Sequence, residues 1–122
     1  MTQNSVGVRL PSHVTMAWPA LCAIKRAGGS ASNEEIMEAV AEELNLDDRQ
    51  RSLRLGRGSR TLLGYRLAWA RTFLKNMDAI TNDGRGHWSI TETGRRITQS
   101  DIQMVSKQQL ARLKKTSQSG HE

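Results

Sequence analysis

Few residues in this 122-residue chain are placed to make or break bonds. The histidines His13, His87 and His121 are scattered, and none has a Cys or His partner at metal-ligand spacing. No Gly-x-Ser-x-Gly elbow presents a nucleophilic serine. A nuclease of the Asp…(Asp/Glu)-x-Lys type needs a carboxylate two residues before a lysine. Ala23, Phe73, Val105, Arg112 and Leu113 occupy those places instead. Glu34, Glu35, Glu38, Glu42 and Glu43 read as the solvated acidic face of a helix, not as metal ligands. The expectation is a binding protein with no catalytic residue, metal or cofactor of its own.

Charge is what the sequence segregates. The chain carries a net +6 and a pI near 10.2, which favours an anionic partner, nucleic acid ahead of a membrane surface. From Ala27 to Asp48 there are seven carboxylates and no Lys or Arg, whereas Arg49 to Met77 holds eight cations and no carboxylate. The rival to a phosphate-binding surface is a basic face that pairs with the acidic helix. Within the basic run, Gly56-Arg57-Gly58-Ser59-Arg60-Thr61 lets backbone approach an anion just ahead of a helix N-terminus. Arg57, Ser59 and Arg60 are therefore expected to hold a DNA phosphate. A third glycine and a preceding strand are missing, so this is not a dinucleotide fingerprint, and a plain flexible loop is the alternative.

These residues need elements to position them. Hydrophobic residues are 37% and charged residues 25% of the chain, enough for one domain with a modest core. Cys22 is the only cysteine, so no internal disulfide can form. No signal peptide or membrane-spanning run is visible, and a cytoplasmic setting is expected. Residues 1–12 read as a flexible polar arm, 13–99 as the domain, and 100–122 as a C-terminal helix with a basic tail. Val14, Ala17, Trp18, Leu21 and Ile24 predict a first helix, starting near Trp18 or kinked by Pro19, that ends at Gly28-Gly29. Ser32-Asn33-Glu34-Glu35 is a capping box opening a second helix, which stops at Asn45. Asp47 opens a short helical turn.

A third helix spans 59–76, with Leu63, Leu67, Ala70, Leu74 and Met77 within about 40° on one face. Its opposite face carries Thr61, Tyr65, Ala68 and Thr72. Residues 79–81 and 87–90 predict a hairpin around an Asn82–Gly86 turn, and Gly29–Ala31 is a candidate pairing strand. This is a mostly helical α+β layout, a winged helix-turn-helix with a short C-terminal β-hairpin wing and an added C-terminal helix. Helix 59–76 is expected in the major groove of duplex DNA, with the 82–86 wing on the backbone or minor groove. Thr61 and Tyr65 are the base-contact candidates, with Ala68 or Trp69 as further options. Trp69 serves either the core edge or a stacking surface, and Arg66 either an ion pair to helix two or the DNA. Trp18, Phe73 and Trp88 read as core, and Arg85 as a wing-tip DNA contact. In the last helix, capped by Ser100 or Asp101, Ile102, Val105, Leu110 and Leu113 gather on one side. That stripe either folds back on its own domain or forms a homodimer, the option favoured here. Lys107, Arg112, Lys114 and Lys115 then add phosphate contacts.

Several segments also resemble a known family in order and spacing. They are Pro19-Ala20-Leu21, Gly28-Gly29, Ala31-Ser32-Asn33-Glu34-Glu35-Ile36, Arg66-Leu67-Ala68-Trp69-Ala70-Arg71 with Leu74-Lys75, and Gly86-His87-Trp88-Ser89-Ile90-Thr91-Glu92-Thr93-Gly94-Arg95. Over about residues 15–98 the chain resembles the N-terminal winged-helix domain of Mrr-type restriction proteins. The resemblance implies a DNA reader, directed at modified DNA, that works with a nuclease domain or subunit. Arg66 and Trp69 match the family's helix-three segment, and Trp88 its wing strand. Cleavage itself is not implied, because no nuclease motif lies in these residues. The readings from other classes are a protein–protein adaptor and a small transcriptional repressor.

Overall fold

The computed structural model describes residues 8–119, with side chains through Gln109. Ser12 caps α1 (His13–Arg26), its Oγ accepting the Thr15 N–H at 3.2 Å. The helix begins at His13 and includes Pro19, so of the two expected forms the late start near Trp18 is ruled out. The amide that proline lacks would have served the carbonyl of Thr15, an exposed residue whose carbonyl can turn to water. Burial on α1 is broader than one stripe: Met16, Ala17, Ala20, Leu21, Ala23 and Ile24 are all buried. The reason is that α1 is packed on several sides, by elements named below.

Gly28 and Gly29, at φ +94° and +107°, turn the chain into β1 (Ser30–Ser32). Ser32 then caps α2 (Asn33–Glu43) in the expected box. Its Oγ accepts the Glu35 N–H at 3.1 Å, and Glu35 Oε1 accepts the Ser32 N–H at 2.8 Å. The backbone bond, then the hydroxyl, holds the Glu35 carboxyl below its ordinary pKa. That contribution is present at neutral pH and fades as pH falls through the lowered value. Asn45, at φ +55°, stops the helix as expected. A second box, Asp47 with Gln50, opens the five-residue α3 (Asp48–Ser52).

The next helix, α4 (Leu62–Asn76), starts later than the expected 59, because Thr61 is its cap. Leu63, Leu67, Ala70 and Leu74 are buried as the periodicity requires, Met77 is half-buried, and Phe73 joins the core. Strands β2 (Ile80–Gly84) and β3 (His87–Ile90) follow, in an antiparallel sheet of order β1-β3-β2. The five-residue turn of the sequence reading is corrected to a two-residue one, Arg85-Gly86, with φ +53° and +74°. A register shift between Asn82 and Gly84 absorbs the extra residue, Asp83.

Thr91 caps α5 (Glu92–Arg96), whose Gly94 lies against Ala79, the residue before β2: a Cβ there would sit 2.1 Å from the Ala79 carbonyl oxygen. Last comes α6 (Gln99–Ser119). Its cap is Thr98, reciprocally bonded to Asp101 at 2.9 and 3.2 Å, and not the expected Ser100 or Asp101. With α4, α2, β3 and α6 all packed on it, α1 is the centre of the fold. The arrangement is a mostly helical, winged-helix-like α+β fold, with the β2–β3 hairpin as wing and α6 as the addition. Among the described residues no helix is long and apolar enough to cross a membrane.

The α6 stripe divides. Ile102 is 1% exposed and Val105 packs half-buried against the core, so this part folds back on its own domain. Leu110, Leu113, Arg112, Lys114 and Lys115 lie outside the residues whose side chains are described, as do residues 1–7 of the arm and His121. Ile102→Ala should accordingly lower the unfolding free energy by about 2–4 kcal/mol in urea titrations, without changing sedimentation. Altered sedimentation at undiminished stability would return Ile102 to an interface between chains.

Candidate nucleic-acid interface

Helix α4 has two faces because its apolar residues recur at helical spacing and the others do not. With the stripe from Leu63 to Leu74 buried, Thr72, Lys75 and Asn76 are exposed, and Tyr65 and Ala68 half-buried. Trp69 is 50% exposed, so of its two readings the core edge gives way to the surface. Tyr65 and Trp69 meet edge to face, ring centroids 6.4 Å apart at 75°. The Arg60 guanidinium stands 5.7 Å over the Tyr65 ring. Arg60, Tyr65 and Trp69 are thus brought together from the loop and the helix.

Backbone hydrogen bonds close the loop before α4. Arg54 and Thr61 pair across it as an isolated bridge, and the Leu55 N–H donates to the Arg60 carbonyl at 2.9 Å. Arg57, Ser59 and Arg60 in this loop are exposed. The helix N-terminus contributes less than expected. The Leu62 N–H already donates to the Leu53 carbonyl at 2.8 Å, and the Gly64 N–H to Thr61 Oγ1 at 3.1 Å. Thr61 is therefore spent as a cap, and side-chain cations, not these amides, remain for an anion.

The eight cations of the basic run separate into two groups. Three are half-buried and engaged inside the molecule. Arg51 bonds Glu38 of α2 at 3.3 Å and the Leu46 carbonyl at 3.1 Å. Arg66 makes no ion pair to α2; its Nη1 donates to the carbonyls of Leu10 (2.7 Å) and Pro11 (3.1 Å). Arg71 lies with its guanidinium 5.7 Å over the Trp88 ring, and burial lowers its pKa. The others, Arg49, Arg54, Arg57, Arg60 and Lys75, are exposed, and none forms an ion pair among the described residues. Pairing with the acidic helix thus accounts for Arg51 alone.

The wing is held by a residue whose spacing gave no signal beyond its place in the capping box. Asn33 donates its N–H to the Gly86 carbonyl at 2.8 Å, and its Oδ1 accepts the Trp88 Nε1–H at 2.8 Å. Trp88 is buried as expected, 8% exposed. Arg85 is exposed at the tip in a left-handed conformation. Asn or Gly would hold that position with less strain. Asp83, beside it, accepts a hydrogen bond from Ser89 Oγ.

The profile of the Mrr N-terminal domain family matches residues 14–100, from α1 to the first turn of α6. No curated protein and no solved structure matches the chain.

The placement of Arg66 is open to test. Arg66→Ala should cost about 1.5–3 kcal/mol of stability in urea unfolding, through its lost charged hydrogen bonds. It should leave duplex affinity nearer to wild type than Arg57→Ala does. The reverse order would return Arg66 to the DNA-facing set.

Proposed function

Because the chain belongs to the Mrr N-terminal domain family, we propose that it is the duplex-DNA reader of a Mrr-like restriction system. In this reading α4 enters the major groove and the Arg85 wing tip rests on the backbone or in the minor groove. Arg57, Ser59 and Arg60 hold phosphate, while Tyr65 contacts a base edge. Modified duplex DNA is the ligand, and a nuclease domain or subunit is the partner that cleaves. The observation that carries the reading is the set of exposed cations around the start of α4 that no carboxylate of the described residues claims. A homodimer through α6 would have to leave out Ile102 and Val105, which pack against the domain's own core.

Binding should weaken steeply with salt. Neutralising about five phosphates gives a slope of log K against log salt near −4.5. Gel shifts at several salt concentrations, with paired modified and unmodified duplexes, measure it. A flat dependence would transfer the reading to a protein–protein adaptor.

Positioning and reading should separate by mutation. Arg57→Ala and Arg60→Ala should weaken all duplexes alike, because phosphate contacts carry little sequence information. Tyr65→Ala should reduce discrimination between sequences or modification states by about 1–3 kcal/mol. Equal losses for all three variants on every duplex would remove Tyr65 from the reading role.

A further inference from the structure

A groove of about 470 Å³ opens between α4, the start of α1 and α6. Trp69 lies about 160° around α4 from Arg71, so this flank faces away from the hairpin that Arg71 meets at Trp88. Tyr65, Trp69 and Phe73 line it together with His13, and the amides of Asn76 and Gln109 stand among them. The aromatic groups form two edge-to-face pairs, Tyr65 with Trp69 and His13 with Phe73, the latter with centroids 6.3 Å apart. Trp69 and Met104 are the large apolar side chains left exposed among the described residues, and only Trp69 borders the groove.

The chemistry of the walls selects a ligand. The volume lies within the roughly 300–1,000 Å³ of small-molecule sites. Among the described residues no carboxylate lines the groove and Arg66 does, so a cation is disfavoured and an anionic or electron-rich ligand favoured. A half-exposed indole offers a stacking face, and side-chain amides donate and accept in one plane, which suits a planar heterocycle with a hydrogen-bonding edge. Arg60, over the Tyr65 ring, can hold a phosphate one side chain from the groove. We propose that this groove receives a single nucleobase, stacked on Trp69 with its edge served by Asn76 and Gln109. The inference rests on the DNA-reading function for the main source of that base, an extruded nucleotide. Extrusion is least costly where the base is already unpaired.

The test uses the full chain and four probes: a paired duplex, the same duplex with one unpaired adenine, a short single strand, and deoxyadenosine monophosphate. Affinity is measured for each, together with the Trp69 indole N–H resonance, assigned through Trp69→Phe. The unpaired adenine should tighten duplex binding about tenfold, a gain lost in Trp69→Ala and kept in Trp69→Phe. A Trp69 shift with the single strand or the mononucleotide alone would keep the groove as a base site but change the source of the base. Duplex binding with no Trp69 response to any probe would overturn the groove assignment and leave the DNA reading standing. Should no duplex bind, the DNA reading fails and the mononucleotide shift alone decides the groove, its absence overturning the assignment.

Discussion

The contact between α1 and α4 is the constraint on which everything else rests. Leu63, Leu67, Ala70 and Leu74 of α4 are at most 2% exposed, and Ala17, Ala20, Leu21 and Ile24 of α1 are fully buried. Small residues at 17, 20 and 70 suit a close approach of two helices. Truncating a leucine in such a seam typically costs about 2–5 kcal/mol, a large part of a small domain's stability. The seam also fixes rotation. Once the stripe is buried, Tyr65, Trp69 and Thr72 have to face outward, and the candidate interface follows from the core.

Around that seam, arginine serves two purposes that composition cannot distinguish. The inward set, Arg51, Arg66 and Arg71, closes the molecule by bonding backbone carbonyls or lying over an indole. A planar guanidinium with several donors and weak hydration does this better than an ammonium. Arg66, with Gln50 donating to the Arg9 carbonyl at 2.9 Å, ties residues 9–11 to the helices. Among the described residues the outward set forms no ion pair, and its charge is what an anionic polymer would neutralise. The basic run therefore both builds the domain and equips its surface.

The wing is positioned by contacts that span the chain. Asn33, at the start of α2, bonds Gly86 and the indole of Trp88, so one residue joins the acidic helix to the hairpin. Gly94 lets α5 pass against the Ala79 carbonyl where any side chain would collide. The left-handed Arg85 is held between Gly84 and Gly86, both also at positive φ. Such strain persists only where the surroundings enforce it, and here a paired hairpin does.

The sequence alone determined what depends on neighbours within a turn or two. The capping box at Ser32, the stop at Asn45, the apolar stripe of α4 and the hairpin around residues 82–86 were legible because caps, periodicity and turn residues act locally. The segregation of charge was legible for the same reason. Element ends were less so: α4 starts only after its cap Thr61, and Thr98 took the α6 cap from Ser100 and Asp101, since several hydroxyls and carboxylates lay within reach. Tertiary structure alone decided how each charged or apolar side chain is used. Arg66 meets Leu10 and Pro11 across more than fifty residues, and Trp88 meets Asn33 at the same separation. No local pattern encodes those partners. Likewise Ile102 and Val105 suited a dimer seam, the option favoured from sequence, as well as the docked helix they form, because periodicity identifies an apolar face and not what covers it.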